Sequence, residues 1–266
     1  VAGLRAASHL CRAMERSVPA EVFEAEGLDF QADIDASLAL AALRLGRPMM
    51  PAAPLRRPDA GAIGSLAMGY PTQLAEPHDE RLIDTVNFLL DKCMVGGGFF
   101  QDMIHAGINP YLTLHIAQVL LRAADPRYLQ LVQTVAELAS STGQWPEAIH
   151  PRTRGGCMGD GQHTWAAAEW VLMLRNMFVR EEGKRLILCQ GIPEAWLIPG
   201  VASRLGPAPT EFGTVTIEII ATDHVIRIAW EAKWHRAPPP VEIHLPGYVA
   251  VTVPSDETRI ELKKRS

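Results

Sequence analysis

Six helical segments before residue 180 alternate between two hydrophobic patterns. Apolar residues form one stripe in the segments near 2–16, 79–94 and 128–138. The segments near 31–45, 110–123 and 163–179 are apolar on most sides. A striped helix lies against a core with its other side in solvent, whereas a helix that is apolar all round is surrounded by protein. The pattern therefore predicts alternating outer and inner helices, the arrangement of antiparallel hairpins in an α/α toroid.

The number of helices predicts a partial ring. A complete ring of six hairpins needs twelve helices, and this sequence supplies about three hairpins before its character changes. The chain also begins at Val1 inside a helical pattern, without a methionine. We therefore expect the N-terminal half of the toroid to be missing from this sequence and to be a partner of it.

The sequence after Lys184 changes to alternating, β-branched segments such as RLILCQGI, TVTIEII and VIRIAWEA. Alternation with a period of two is typical of short antiparallel strands. The sequence thus predicts a mainly α fold with two domains, an α/α-toroid domain at 1–183 and a small antiparallel β domain at 184–266. No site-like cluster occurs in the β domain, so we expect it to stabilise the chain without taking part in chemistry.

Composition and charge exclude several classes of partner. The net charge is −5 and the pI about 6.0, which provides no basic surface for nucleic acid or for an anionic membrane. We find no run of eighteen apolar residues and no secretory leader. The four cysteines are scattered without a CxxC pair, which fits a reduced compartment and favours the cytoplasm. No cofactor is expected.

One loop concentrates the residue types that chemistry needs. The stretch TGQWPEAIHPRTRGGCMGDGQHTWAAAEW, from Thr142 to Trp170, contains carboxylates, histidines, tryptophans and glycines ahead of the last all-apolar helix. In a toroid, this loop and the segments 17–33 and 96–110 would all lead from an outer to an inner helix. Such loops emerge at one end of the ring, where free backbone N–H groups face a central cleft.

These features together resemble a known family. The helical hairpins, the GQWPEAIHP loop, the following GGCMGDGQHTWAAAEW and the trailing β domain are similar to the C-terminal part of six-hairpin glycosidases. These are the (α/α)6-toroid glycoside hydrolases of the glucoamylase and glycogen-debranching types, and the resemblance covers about residues 1–232. In glucoamylase-like members a Pro-Glu pair before the last inner helix supplies the catalytic base, and Pro146-Glu147 occupies the matching position. The resemblance implies hydrolysis of a neutral oligo- or polysaccharide.

Carboxylate chemistry directs the choice of catalytic candidates. Inverting hydrolysis needs one carboxylic acid and one carboxylate about 6.5–9.5 Å apart. Glu147 suits the role of base, because a nearby helix N-terminus favours its ionised form. Asp160 is a second candidate, although it could equally cap the helix that follows. Glu24 and Glu26 are weaker candidates for the acid.

Aromatic and polar side chains in the same loops predict sugar binding. Rings can stack on the apolar face of a pyranose while amides, imidazoles and guanidinium groups bond its hydroxyls. Core packing is the alternative for the two tryptophans of the last helix, Trp165 and Trp170. The candidate substrate-binding residues are Trp145, Gln144, His150, Arg152, Gln162, His163, Trp165, Phe99, Phe100, Asp102, His105 and Asn109.

Two other classes of function remain open. Some α/α-toroid proteins bind zinc, and a zinc site would draw on Cys157, His150, His163 and His105. The spacing is loose and includes one cysteine, so the sequence favours a site without metal. A non-catalytic carbohydrate-binding or structural fragment of a larger toroid protein is the other alternative.

Overall fold

The computed structural model describes residues 1–103, 106–159, 161–254 and 256–264. The chain forms two compact units, Val1–Ile108 and Asn109–Ser266. Helices and sheets both contribute substantially, so the fold is mixed α/β rather than mainly α. Within the described ranges, no helix is long and apolar enough to cross a membrane.

The first unit is helical at its start and ends in three short strands. Its elements are α1 (Ala2–Ala13), α2 (Ser17–Leu45), a 3-10 helix (Ala60–Met68), α3 (Glu80–Lys92), β1 (Met94–Val95), β2 (Gly98–Gln101) and β3 (Gly107–Ile108). The first two helices form a hairpin in which the Ser8 hydroxyl donates to the Ala20 carbonyl at 2.9 Å. Helix α3 has the predicted stripe and buries Leu82, Val86 and Leu89.

Helix α2 differs from the prediction in length and in burial. It begins at Ser17, so the segment 17–33 is helix and not a loop beside a cleft. The reason is local: Pro19 stands in the first turn, where proline needs no N–H partner. Glu24 and Glu26 therefore lie on an exposed helix surface, and Glu24 forms an ion pair with Arg12.

The predicted all-round burial of this helix is wrong for the described chain. Only Ala20, Gly27 and Ala41 are buried in α2. Its main packing neighbour is α1, which covers one side and leaves large apolar side chains in solvent. The exposed large apolar residues of α2 are Val18, Val22, Leu28, Phe30, Leu40 and Leu43.

The described part of the second unit contains three α-helices, a short 3-10 helix (Glu194–Trp196) and the larger sheets. Its α-helices are α4 (Pro110–Arg122), α5 (Tyr128–Glu137) and α6 (Thr164–Phe178). In α4 only Leu112 and His115 are not buried, as its all-apolar pattern predicts. Helix α5 has the predicted stripe. Helix α6 is less buried than predicted, because Val171 and Leu172 are exposed on one face.

The strands of the second unit form a hairpin and two four-stranded sheets. They are β4 (Ala148–Ile149), β5 (Gly156–Met158), β6 (Val179–Glu182), β7 (Arg185–Leu188), β8 (Ala202–Thr210), β9 (Gly213–Ala221), β10 (Val225–Trp234), β11 (Val241–Ile243), β12 (Val251–Val253) and β13 (Arg259–Lys263). One sheet, in the order β13-β10-β9-β8, is antiparallel as predicted. The other has the order β12-β11-β7-β6 and contains a parallel pair, β7 with β11. The expectation of a purely antiparallel region is therefore wrong.

The predicted domain boundary falls in the turn between β6 and β7. Strand β6 follows α6 without a break and pairs with β7, from Val179 opposite Leu188 to Glu182 opposite Arg185. The division at 183/184 stays a prediction.

A buried ionic network connects helix α4 to this sheet. Arg122 Nη2 donates to Glu182 Oε1 at 2.6 Å, and Arg180 forms a second ion pair with the same carboxylate. Gln190 accepts from Arg180 at 2.8 Å. Burial alone would raise the pKa of Glu182, but the two guanidinium groups outweigh it and hold that pKa below its ordinary value. The network fixes the C-terminal end of α4.

Candidate functional site

The loop between α5 and α6 is held to both helices by Trp145. Its indole N–H donates to the Val135 carbonyl at 2.8 Å, and its ring contacts Trp170 at a centroid distance of 5.4 Å. Its carbonyl accepts from the His163 N–H at 2.9 Å, immediately before α6. Trp145 is only 5% exposed. Because so little of the ring is accessible, its contacts are those of a loop anchor and not of a sugar platform.

Glu147 lies at the start of the β4–β5 hairpin and is half-buried. The backbone at Gly159 has φ +75°, and a Cβ there would lie 3.2 Å from the Glu147 Cβ and 3.3 Å from its backbone nitrogen. Glycine is thus required at 159 both by the left-handed conformation and by the close approach. This contact fixes where the Glu147 main chain passes.

Helix α4 brings a tyrosine near Glu147. Burial raises the pKa of the Tyr111 hydroxyl, and the negative charge of Glu147 raises it further. The phenol therefore stays protonated at neutral pH and remains a hydrogen-bond donor.

An aromatic cluster surrounds Tyr111. Its ring centroid lies 4.9 Å from that of His163 and 4.6 Å from that of Trp165. The His115 ring lies 5.7 Å from Trp165. Of these rings, Trp165 is 49% exposed and offers the largest accessible face. The cluster combines the exposed indole of Trp165, the protonated hydroxyl of Tyr111 and two imidazole rings. This combination suits binding of a ring that carries hydroxyl groups.

Glu169 connects the two helices of the cluster. Its Oε1 lies 3.0 Å from His115 Nε2 and accepts from the Trp165 indole N–H at 3.3 Å. The carboxylate is buried, with the residue 7% exposed.

The sequence-based candidates included Glu147, His163 and Trp165 but missed Tyr111, His115 and Glu169. The spacing of the missed residues along their helices could have identified them. Tyr111 and His115 are four residues apart on α4, and Trp165 and Glu169 are four apart on α6, so each pair shares a helix face.

The turn after Glu147 contains two of the predicted sugar-binding residues, His150 and Arg152. His150 Nδ1 accepts from the backbone N–H groups of Arg152 and Thr153, each at 3.2 Å. This contact gives the His150 ring a role in holding the turn. The side chains of Gln144, Arg152 and Gln162 are exposed.

Three of the residues suggested for zinc, His150, Cys157 and His163, have other contacts in the described structure. Cys157 Sγ donates to the Ala148 carbonyl at 3.6 Å, across the hairpin. Within the described ranges, no group of three His, Cys, Asp or Glu side chains could hold a metal ion. His105 and Asp160 lie outside the described residues.

The remaining candidates lie in or next to the first unit. Phe99 is 0% exposed and belongs to the core of that unit, so no ring face is available for a sugar. Phe100 is half-buried in β2, and Asp102, the residue after β2, is exposed. Asn109, the residue before α4, is 2% exposed and its carbonyl accepts from the Thr113 N–H at 3.0 Å. That contact begins the helix.

Comparison with known proteins relates the fold to glycosidases. No protein-family model matches the sequence, and no curated protein matches it. Among solved structures, the chain is similar to a wild-type glycosidase and to a glycosidase variant in complex with glucose, each with a TM-score of 0.51 at 17% identity. Each match covers 66% of this chain and 49% of the other, so the chain spans about half the length of the structures it resembles. Over the matched part, the chain has a glycosidase fold.

Proposed function

We propose that this chain carries the catalytic base of a glycoside hydrolase that acts on a neutral oligo- or polysaccharide by carboxylate-assisted, inverting hydrolysis. The observation that carries the proposal is the position of Glu147, half-buried and close enough to Tyr111 for its charge to raise the tyrosine pKa. The glycosidase fold of the matched part supports the same class of reaction.

In this proposal Glu147 accepts a proton from the attacking water. The protonated Tyr111 hydroxyl donates a hydrogen bond either to that carboxylate or to a sugar hydroxyl. The exposed face of Trp165 stacks on the sugar ring, while His163 and Gln162 bond hydroxyl groups. Trp145, Phe99 and Asn109 take no part in binding and support the backbone through the buried contacts described above.

The general acid is proposed to be Asp160. Glu24 is withdrawn because its carboxylate is paired with Arg12 on an exposed helix, and Glu26 is exposed on that helix. Glu169 is equally unsuited, since its Oε1 lies within hydrogen-bond distance of both His115 and Trp165.

We also propose that the chain works together with further helical hairpins, in an α/α toroid of the six-hairpin type. The large apolar residues exposed on α2 support this: Val18 and Val22 are one turn apart, as are Leu40 and Leu43, and grouped exposed apolar side chains mark an interaction site. The longer protein that contains both parts is called the parent protein below.

The test is Glu147→Gln in the parent protein. Glutamine keeps the size and the hydrogen-bonding ability of the side chain but accepts no proton, so turnover of a neutral glucoside should fall by about 10²–10⁴-fold. Sugar affinity should change little, because stacking and hydroxyl contacts remain. Glucose release and the anomer first formed, followed by NMR, measure turnover and stereochemistry.

The matched control is Glu137→Gln, which removes an exposed carboxylate from the end of α5. It should leave turnover unchanged. A Glu147→Gln variant with near-normal turnover would remove Glu147 from the mechanism. Sugar binding without any turnover in the wild type would favour a non-catalytic binding domain, and a stoichiometric metal content in the pure protein would favour the zinc alternative.

A further inference from the structure

The carboxylate of Glu169 is buried at the contact between α4 and α6. A buried carboxylate is stable only when donors surround it, because desolvation of an unpaired charge is costly. Here the same oxygen, Oε1, meets the His115 ring nitrogen at 3.0 Å and the Trp165 indole N–H at 3.3 Å. One donor comes from each helix.

These contacts act on a side chain that is otherwise half in solvent. Trp165 is 49% exposed and stands at the beginning of α6. Tyr111 and His115 contact its ring, with centroid distances of 4.6 and 5.7 Å. Ring contacts alone leave the indole free to slide in its plane, whereas the hydrogen bond to Glu169 fixes the N–H edge.

We propose that Glu169 is a positioning residue that fixes the plane of the Trp165 indole, so that its exposed face is preorganised to stack on a sugar ring. This inference rests on the proposed function, because it assigns a role within the same binding site. His115 has a supporting part: it supplies the second donor that keeps the Glu169 carboxylate in place. Binding is strengthened when a ring platform needs no ordering at the moment of contact.

A double-mutant cycle in the parent protein tests the proposal, with glucose as the probe and calorimetry as the measurement. Glu169→Ala should weaken glucose binding by about fivefold, the worth of one net hydrogen bond. Trp165→Phe keeps a ring but removes the indole N–H. Adding Glu169→Ala to Trp165→Phe should therefore cause no further loss, because the two residues act through one contact. Glu169→Gln retains an acceptor and should restore most of the affinity.

The matched control is Asn176→Ala. The Asn176 amide donates to Gln118 Oε1 at 3.0 Å between the same two helices, two turns further along. This variant should lower the melting temperature and leave glucose binding unchanged. If Glu169→Ala does not fold, Glu169→Met fills the same space without an acceptor and takes its place in the cycle.

A second measurement follows Trp165 without any sugar. The fluorescence difference between the wild type and Trp165→Phe isolates the Trp165 signal, and Glu169→Ala should make that signal less anisotropic and more accessible to acrylamide. Equal losses of affinity from Glu169→Ala with and without the indole, or an unchanged Trp165 signal, would overturn the inference. If the wild type binds no glucose and hydrolyses no neutral oligosaccharide, the proposed function fails, and the fluorescence result still decides whether Glu169 positions Trp165.

Discussion

Individual residues decide how the Glu147 loop is held. Trp145 and Gly159 both contribute, one by a buried hydrogen bond and the other by allowing close approach of two backbone segments. The Gly159 contact can be tested separately, because a second glycine nearby has the same backbone conformation without the crowding.

Gly159→Ala should destabilise the second unit more than Gly161→Ala. Both positions have positive φ, +75° and +88°, so both variants carry backbone strain of about 1–3 kcal/mol. At Gly159 the new methyl group would also meet Glu147, at 3.2 Å, whereas at Gly161 no atom of the described residues lies within 4 Å. Urea unfolding measures the difference. Equal losses in the free energy of unfolding for the two variants would mean that the loop shifts to accept the methyl group at Gly159 without further destabilisation.

Individual residues also show how much of the site the local sequence can predict. Glu147, His163 and Trp165 stand in one contiguous stretch, so a motif was enough to select them. Tyr111 and His115 lie in α4, whose apolar character concealed them, and Glu169 lies among alanines and apolar residues in α6. Their importance depends on two helices meeting face to face, which no single segment encodes. Trp145 and Phe99 are buried, which the local sequence does not reveal, because an aromatic residue in a glycine-rich loop can be either accessible or buried.

At the scale of elements, burial separates helices that look alike in sequence. Helices α2 and α4 both have apolar residues on most sides, yet α4 is almost entirely buried and α2 is mostly exposed. The hydrophobic pattern of a helix indicates which of its surfaces is more stable when buried. Whether that surface is buried depends on the elements that pack against it. Helix α4 is covered by α5 and α6.

The ionic anchor between α4 and β6 should make stability depend on acid pH. The pKa of Glu182 is depressed, so its contribution is fully present above its ordinary value of about 4.5 and is lost as pH falls through the lower folded value. Glu182→Gln removes the charge of the carboxylate that two buried guanidinium groups share, and it should cost roughly 3 kcal/mol at neutral pH.

Urea unfolding of wild type and variant, from neutral pH down to about pH 3, measures that dependence. The difference in unfolding free energy between the two should shrink below the ordinary carboxylate pKa. Glu231→Gln, an exposed carboxylate on β10, serves as control and should change neither stability nor its pH dependence. A pH-independent difference for Glu182→Gln would show that the network contributes through packing alone.

At the scale of the whole molecule, the exposed apolar face of α2 is the feature that needs an explanation. Leu40 and Leu43 are 69% and 81% exposed near the end of the helix. We expect the 266-residue chain by itself to self-associate and to bind a hydrophobic dye.

Replacing both leucines by glutamate should reduce dye binding and self-association of the isolated chain, as followed by fluorescence and light scattering. Ala36→Glu on the same helix adds a charge without removing a large apolar side chain, and should have a smaller effect. In the parent protein the leucine replacements should instead lower the melting temperature, because they would bury charge under the covering helices. If the two leucine replacements do not change the melting temperature of the parent protein, further helices do not pack against this face of α2.

The parallel pairing of β7 with β11 also sets an order of events during synthesis. Leu186–Leu188 pairs with Val241–Ile243, more than fifty residues later, and β12 then pairs with β11 from residue 251 onward. Contacts so distant along the chain form slowly, because a long loop must close first. A ribosome will therefore have made the chain at least as far as residue 253 before the sheet that anchors Arg122 can close. Until then β7 presents an unpaired edge, which gives a chaperone a defined interval in which to act.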